Sequence, residues 1–128
     1  MTAKALLDAA SSGTYTPTVF NANNCSVNAP AGCLQYIRVG NVVTVSGVID
    51  VNVSVNSTAT NFELSLPISS TLPSFRALGG CGVWYAVGLS NQNPPATCWG
   101  SSNRAYFEFR ALAASNQSMS ITFTYQVA

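Results

Sequence analysis

Residues 34–55 read LQYIRVGNVVTVSGVIDVNVSV, the strongest structural signal in the chain. From Val43 onward the odd positions are apolar or glycine: Val43, Val45, Gly47, Ile49, Val51, Val53 and Val55. The even positions carry Thr44, Ser46, Asp50, Asn52 and Ser54, with Val42 and Val48 as exceptions. Side chains alternate across a strand, so this pattern predicts one long strand with a wet face and a dry face. β-branched Val and Ile suit such a half-buried, pleated surface. Gly40-Asn41 interrupts the run and reads as a hairpin turn. Two registers compete there. A two-residue loop puts Arg38 on the face of Val43. A three-residue loop with a bulge puts Ile37 and Val39 beside Val43 and Val45 instead. Burying an unpaired Arg is costly, so the longer loop is expected. Gly47 marks either a bulge or a close backbone approach.

Working outward, residues 13–20 read as one short edge strand, because Pro17 removes a ladder donor that only an edge can spare. Residues 21–32, rich in Asn and holding Pro30 and Gly32, read as a loop, and residues 56–61 as a polar turn. Phe62, Leu64 and Leu66 alternate with Glu63 and Ser65 in a strand that Pro67 ends. After a connection over residues 69–77, Gly79, Gly80, Cys81 and Gly82 lead into Val83-Trp84-Tyr85-Ala86-Val87. So many glycines in a strand point to curvature or to backbone packed close on a neighbour. Residues 90–103 are the longest irregular stretch, with Pro94-Pro95 and Trp99. Phe107 and Phe109 then alternate with Tyr106, Glu108 and Arg110. The last strand is the cleanest: Met119, Ile121, Phe123, Tyr125 and Val127 on one side, Ser and Thr on the other. The sum is an all-β domain over residues 13–128, an antiparallel β-sandwich of jelly-roll-like type with roughly eight strands. Residues 1–12 stand apart as a short N-terminal arm with one or two helical turns, and apolar Leu6 and Leu7 are its candidate docking residues.

The chain has 128 residues, enough for one domain with a real core. Charged residues make up only 7% and the net charge is +1, so there is no electrostatic footprint for nucleic acid or an anionic membrane surface. No segment is long enough to insert across a bilayer as a helix, and MTAKALLDAA makes a poor signal peptide. Histidine is absent, which removes Ser-His-Asp and Cys-His schemes and the commonest metal ligand. No C-x-x-C spacing suggests zinc, and the Gly79-Gly80-Cys81-Gly82 run lacks the Lys and helix of a phosphate loop. The carboxylates are Asp8, Asp50, Glu63 and Glu108. Glu63 and Glu108 offer a candidate glycosidase pair, but both fall at outward strand positions, and four surface acids are the ordinary expectation. The chain therefore reads as a non-enzyme with no cofactor.

Trp99, Asn103, Arg104 and Tyr106 form the candidate ligand or receptor contact. Aromatic rings beside amides suit stacking on sugar faces, and binding residues concentrate on loops. The more ordinary role for Trp99 is to cap the core. Trp84 reads as core, and its neighbour Tyr85 must then face away from it. The four cysteines offer two candidate disulfides, a local Cys25–Cys33 bridge and Cys81–Cys98 around Trp84. The alternative is four small buried thiols.

YIRVGNVVTVSG at 36–47 resembles a segment of tailed-bacteriophage structural proteins, especially C-terminal modules of tail fibres and related virion-surface proteins. GTYTPT at 13–18, LPISS at 66–70 and SMSITFTYQV at 118–127 are similar to the same family, in the same order. The resemblance implies a structural protein of the virion surface, typically a homotrimer, made in the host cytoplasm and carrying no catalytic motif. A reducing cytoplasm tips the cysteines toward thiols. Three functions follow as expectations. The first is a capsid decoration or short head-fibre protein attached to other virion proteins through its N-terminal arm. The second is a fibre tip that adheres to host-surface glycans, and the third is a stand-alone carbohydrate-binding module. A chain this short leaves no room for a shaft, which places decoration first.

Overall fold

A computed structural model describes residues 11–56, 58–84 and 93–127. It holds ten strands: β1 (Ser11–Tyr15), β2 (Val19–Asn23), β3 (Cys25–Asn28), β4 (Leu34–Val39), β5 (Val42–Val53), β6 (Thr58–Ser65), β7 (Leu78–Trp84), β8 (Ala96–Ser101), β9 (Arg104–Ala111) and β10 (Asn116–Gln126). The odd positions of β5 are the dry face, as the alternation predicts: Val43, Val45, Ile49, Val51 and Val53 are all buried. Val55, beyond the end of the strand, is exposed.

The hairpin register is the shorter of the two alternatives. Val39 pairs with Val42 and Arg38 with Val43, so the loop is Gly40-Asn41 alone. Gly40 takes φ +62°, the positive value that two-residue hairpin loops demand of their first residue. Desolvation costs little here because Arg38 lies at the rim. It is only half-buried, and its Nε donates to the Gly40 carbonyl at 2.8 Å. The consequence falls on the opposite face: Ile37 is 52% exposed and Val39 38%. At Gly47 the close approach is found rather than a bulge. The β4–β5 register runs unbroken to Leu34 opposite Gly47, and a Cβ on Gly47 would stand 2.4 Å from the Cys33 carbonyl oxygen.

All pairings are antiparallel, in the order β1-β4-β5-β10-β7-β8-β9-β6-β2, with β3 also on β5. The sheet curls until its two halves face each other, a sandwich- or barrel-like closure around one core. Phe107 on β9 meets Phe123 on β10 edge-on at 6.1 Å and stacks on Phe62 of β6 at 5.1 Å. Trp84 packs edge-on against Phe109 at 5.2 Å, in keeping with a core role, while its indole N–H donates to the Pro94 carbonyl at 2.9 Å. Each large side chain taken from water contributes about 1.5–3 kcal/mol. The phenol of Tyr125 ties the 66–70 connection to the core, donating to Ile68 O at 2.8 Å and accepting from Ile68 N at 3.2 Å.

Three expectations are corrected. Residues 13–20 are two strands, β1 and β2, separated by Thr16-Pro17-Thr18, and they form the two ends of the strand path. Ser11 and Ser12 already pair with Arg38 and Ile37, so the last two residues assigned to the arm belong to the β domain expected from Gly13. Stretches expected as loop contain β3 and β8. β3 forms because β5 is long: β4 covers its edge from Val42 to Gly47, and the remaining edge from Asp50 to Val53 accepts another strand. Asn24, at φ +60°, turns the chain from β2 into β3, and its side chain both donates to Val55 O and accepts from Val55 N. Leu6, Leu7 and Tyr85 lie outside the described residues.

Candidate functional site

β8 and β9 form a hairpin across Ser102-Asn103, with Ser102 at φ +54°. Ala105, Phe107, Phe109 and Ala111 point into the core, and so do Ala96 and Cys98 of β8. By alternation Trp99, Arg104 and Tyr106 point outward. Trp99 is therefore neither a core cap nor a loop residue: it stands half-exposed on the outer face of a strand. Its register partner is Tyr106, and the two rings lie 4.8 Å apart at 36°. Asn103 sits in the exposed hairpin turn beside them. The four residues singled out in the sequence thus gather at one end of one outer face.

The same face collects three residues that the sequence does not connect with the site. Tyr106 pairs with Glu63 on β6, and Glu63 pairs with Phe20 on β2, so one transverse row reads Trp99, Tyr106, Glu63, Phe20. The Glu63 side chain is only 9% exposed, although it is on the outside of the sheet. Arg104 covers it, with Nη1 at 3.4 Å from Oε2 and its guanidinium 3.5 Å above the Phe20 ring. The Asn21 amide donates to the same carboxylate oxygen. Cation–π contact and ion pair together hold Arg104 across three strands. Burial first, then the Glu108 and Glu63 carboxylates, raise the Tyr106 pKa, so its phenol keeps its proton well above neutral pH. Chemically this is an aromatic shelf bordered by an amide, a hydroxyl and an internally paired charge. It can stack on a flat apolar face and exchange hydrogen bonds around it. The Glu63 oxygen spent on Arg104 and Asn21 anchors the shelf.

The cysteines are thiols, and their geometry rules out both candidate bridges. Cys98 lies opposite Gly80 and faces the core, whereas Cys81 lies opposite Thr97 and faces out. Cys25 sits opposite Val53, while Cys33 precedes Leu34, the partner of Gly47. That offset along β5 amounts to about 17 Å, far beyond disulfide reach. Burial pushes the Cys25 thiol up to about 11 and raises Cys98 further. Under native alkylation at pH 8, exposed Cys81 should react first and Cys98 only after unfolding. Peptide mass spectrometry reads the order, and early labelling of Cys98 would contradict its inward placement.

Among the described residues there is no group of three or more His, Cys, Asp or Glu that could hold a metal ion. Comparison with protein-family models, curated proteins and solved structures found no match.

Proposed function

We propose that this chain is a non-enzymatic structural protein of a bacteriophage particle, a homotrimeric decoration or fibre protein that attaches to other virion proteins through its N-terminal arm. The observation that carries the reading is the asymmetry of its two outer faces. Among the described residues, Glu63, Arg104, Glu108 and Arg110 lie outward on β6 and β9. The outer face of β1, β4, β5 and β10 carries one charge, Asp50, which accepts from Ser118 Oγ at 2.7 Å. On that same face Ile37, Val39, Val42 and Val48 are between 38% and 52% exposed. The first three cluster at the tip of the 36–47 hairpin, the segment with the family resemblance. They serve no core, and an uncharged patch of aliphatic residues among hydroxyls matches the centre of a subunit contact.

Sedimentation tests this. The purified chain should run as a trimer, and Ile37→Asp with Val42→Asp should yield a folded monomer, with the subunit dissociation constant raised by about 100-fold or more. A trimer lacking residues 1–10 should stay trimeric but no longer bind particles that lack the protein. A wild-type monomer, indifferent to both changes, would sink the assembly reading.

A second reading, adhesion to host-surface glycans, is favoured by the Trp99–Tyr106 shelf. It lies on the charged face, which assembly through β4 and β5 would leave open.

A further inference from the structure

β7 contains three glycines, Gly79, Gly80 and Gly82, that behave differently. A Cβ on Gly80 would stand 2.1 Å from Thr122 O, and one on Gly82 would stand 2.4 Å from Met119 Sδ. Packing explains both. Gly79 has no such explanation: among the described residues nothing lies within 4 Å of where its Cβ would be. Its φ is not in the positive region that favours glycine. Neither space nor backbone conformation calls for the missing side chain, yet its absence leaves an opening.

The opening adjoins the indole. Gly79 pairs with Trp99 on one side and with Thr124 on the other, so all three share one transverse row on the outer surface. Tyr106 holds the far flank of Trp99. Between Trp99 and Thr124 the floor is bare backbone for two strand spacings, roughly 9–10 Å. The exposed Thr124 hydroxyl forms the opposite wall, at the border with the aliphatic face that ends at Ile37, the partner of Thr44; it lies 3.4 Å from Thr44 Oγ1, and either oxygen can be the donor. Thr97, exposed in the adjacent row, faces the same side of the sheet. An indole wall, a side-chain-free floor and the Thr124 hydroxyl make a slot for one ring that is apolar on a face and hydroxylated at its edges, while Thr97 Oγ1 donates to Glu108 O at 3.3 Å. No charged side chain stands in this row between Thr44 and Trp99, and the nearby Arg104 is engaged with Glu63.

We infer that the slot above Gly79 is a saccharide subsite that seats one uncharged hexopyranose ring against Trp99. This rests on the adhesion reading above and assigns it a position and a ligand class. Gly79 is there to leave room, Trp99 supplies the stacking surface, and Tyr106 fixes the indole.

The test uses the full chain, with methyl hexopyranosides and their uronic-acid counterparts titrated by calorimetry and a glycan array run in parallel. The wild type should bind uncharged pyranosides. Gly79→Val should fold with an unchanged unfolding midpoint and bind about tenfold or more weakly, since its side chain fills the slot. Trp99→Ala, on the outer face, should lose binding similarly and covers the case in which the valine variant misfolds. Lipopolysaccharide O-chains and capsular polysaccharide, tested separately, identify which source presents the ring. Glycan binding that neither substitution changes would overturn the subsite and leave adhesion standing. Binding confined to acidic sugars would overturn the ligand class. No binding to any glycan would overturn both the subsite and the adhesion reading.

Discussion

Phe107→Ala lowers the unfolding free energy by about 3–5 kcal/mol. Phe107 is fully buried, stacked on Phe62 at an interplanar angle of 12° and set edge-on to Phe123 at 71°. Its partners belong to strands from both halves of the curled sheet. Truncation therefore removes a central contact between the halves, and the surrounding strands, tied into continuous ladders, cannot collapse into the space. Denaturant unfolding followed by far-ultraviolet circular dichroism measures the loss. Phe75→Ala is the control: Phe75 is 55% exposed on the 3₁₀ turn Phe75–Ala77, and its loss should stay within about 0.5 kcal/mol. If both variants lost the same small amount, the two halves of the sheet would not be packed on each other through Phe107.

Gly80→Ala should be nearly as damaging, at roughly 3 kcal/mol or more, while Gly79→Ala one residue earlier should be neutral or slightly stabilising. The new methyl at position 80 would meet Thr122 O at 2.1 Å and Phe123 Cα at 2.7 Å. These are backbone atoms of β10, which no rotamer change can move aside. Relief requires spreading β7 from β10 along a ladder that runs from Leu78 opposite Tyr125 to Trp84 opposite Met119. At position 79 the methyl enters open space. Thermal unfolding of the two variants side by side is the measurement. Equal midpoints would mean that β7 does not approach β10 in this register.

Both predictions depend on pairings that the sequence does not contain, which shows where its information stops. Alternation is a local property. Each residue's preference for core or water is imposed by its two neighbours through the pleat, so a run such as Val43 to Val53 declares its dry face without knowing its partners. For the same reason Phe107, Phe109, Ile121 and Phe123 were legible as core. The part of the site that was legible is also local. Trp99, Asn103, Arg104 and Tyr106 are within eight positions, and a hairpin between neighbouring strands brings them together.

The all-β class, the antiparallel arrangement and the inward residues of the long strands follow from local alternation. The two-residue register at Gly40-Asn41 does not, and it is set by packing at the sheet's rim. Arg38 could take the inward side only because the strand ends at a rim where its guanidinium finds the Gly40 carbonyl. The tertiary structure likewise turned Trp99 outward, delivered Glu63, Asn21 and Phe20 to Arg104, and set Cys81 and Cys98 on opposite faces. These outcomes depend on which strand edge is left uncovered and on which distant strand fills it. Such pairings join residues more than forty positions apart, as Asn21 and Glu63 are. Their free energy comes from closing the whole sheet around one core, so no short window of sequence can express it.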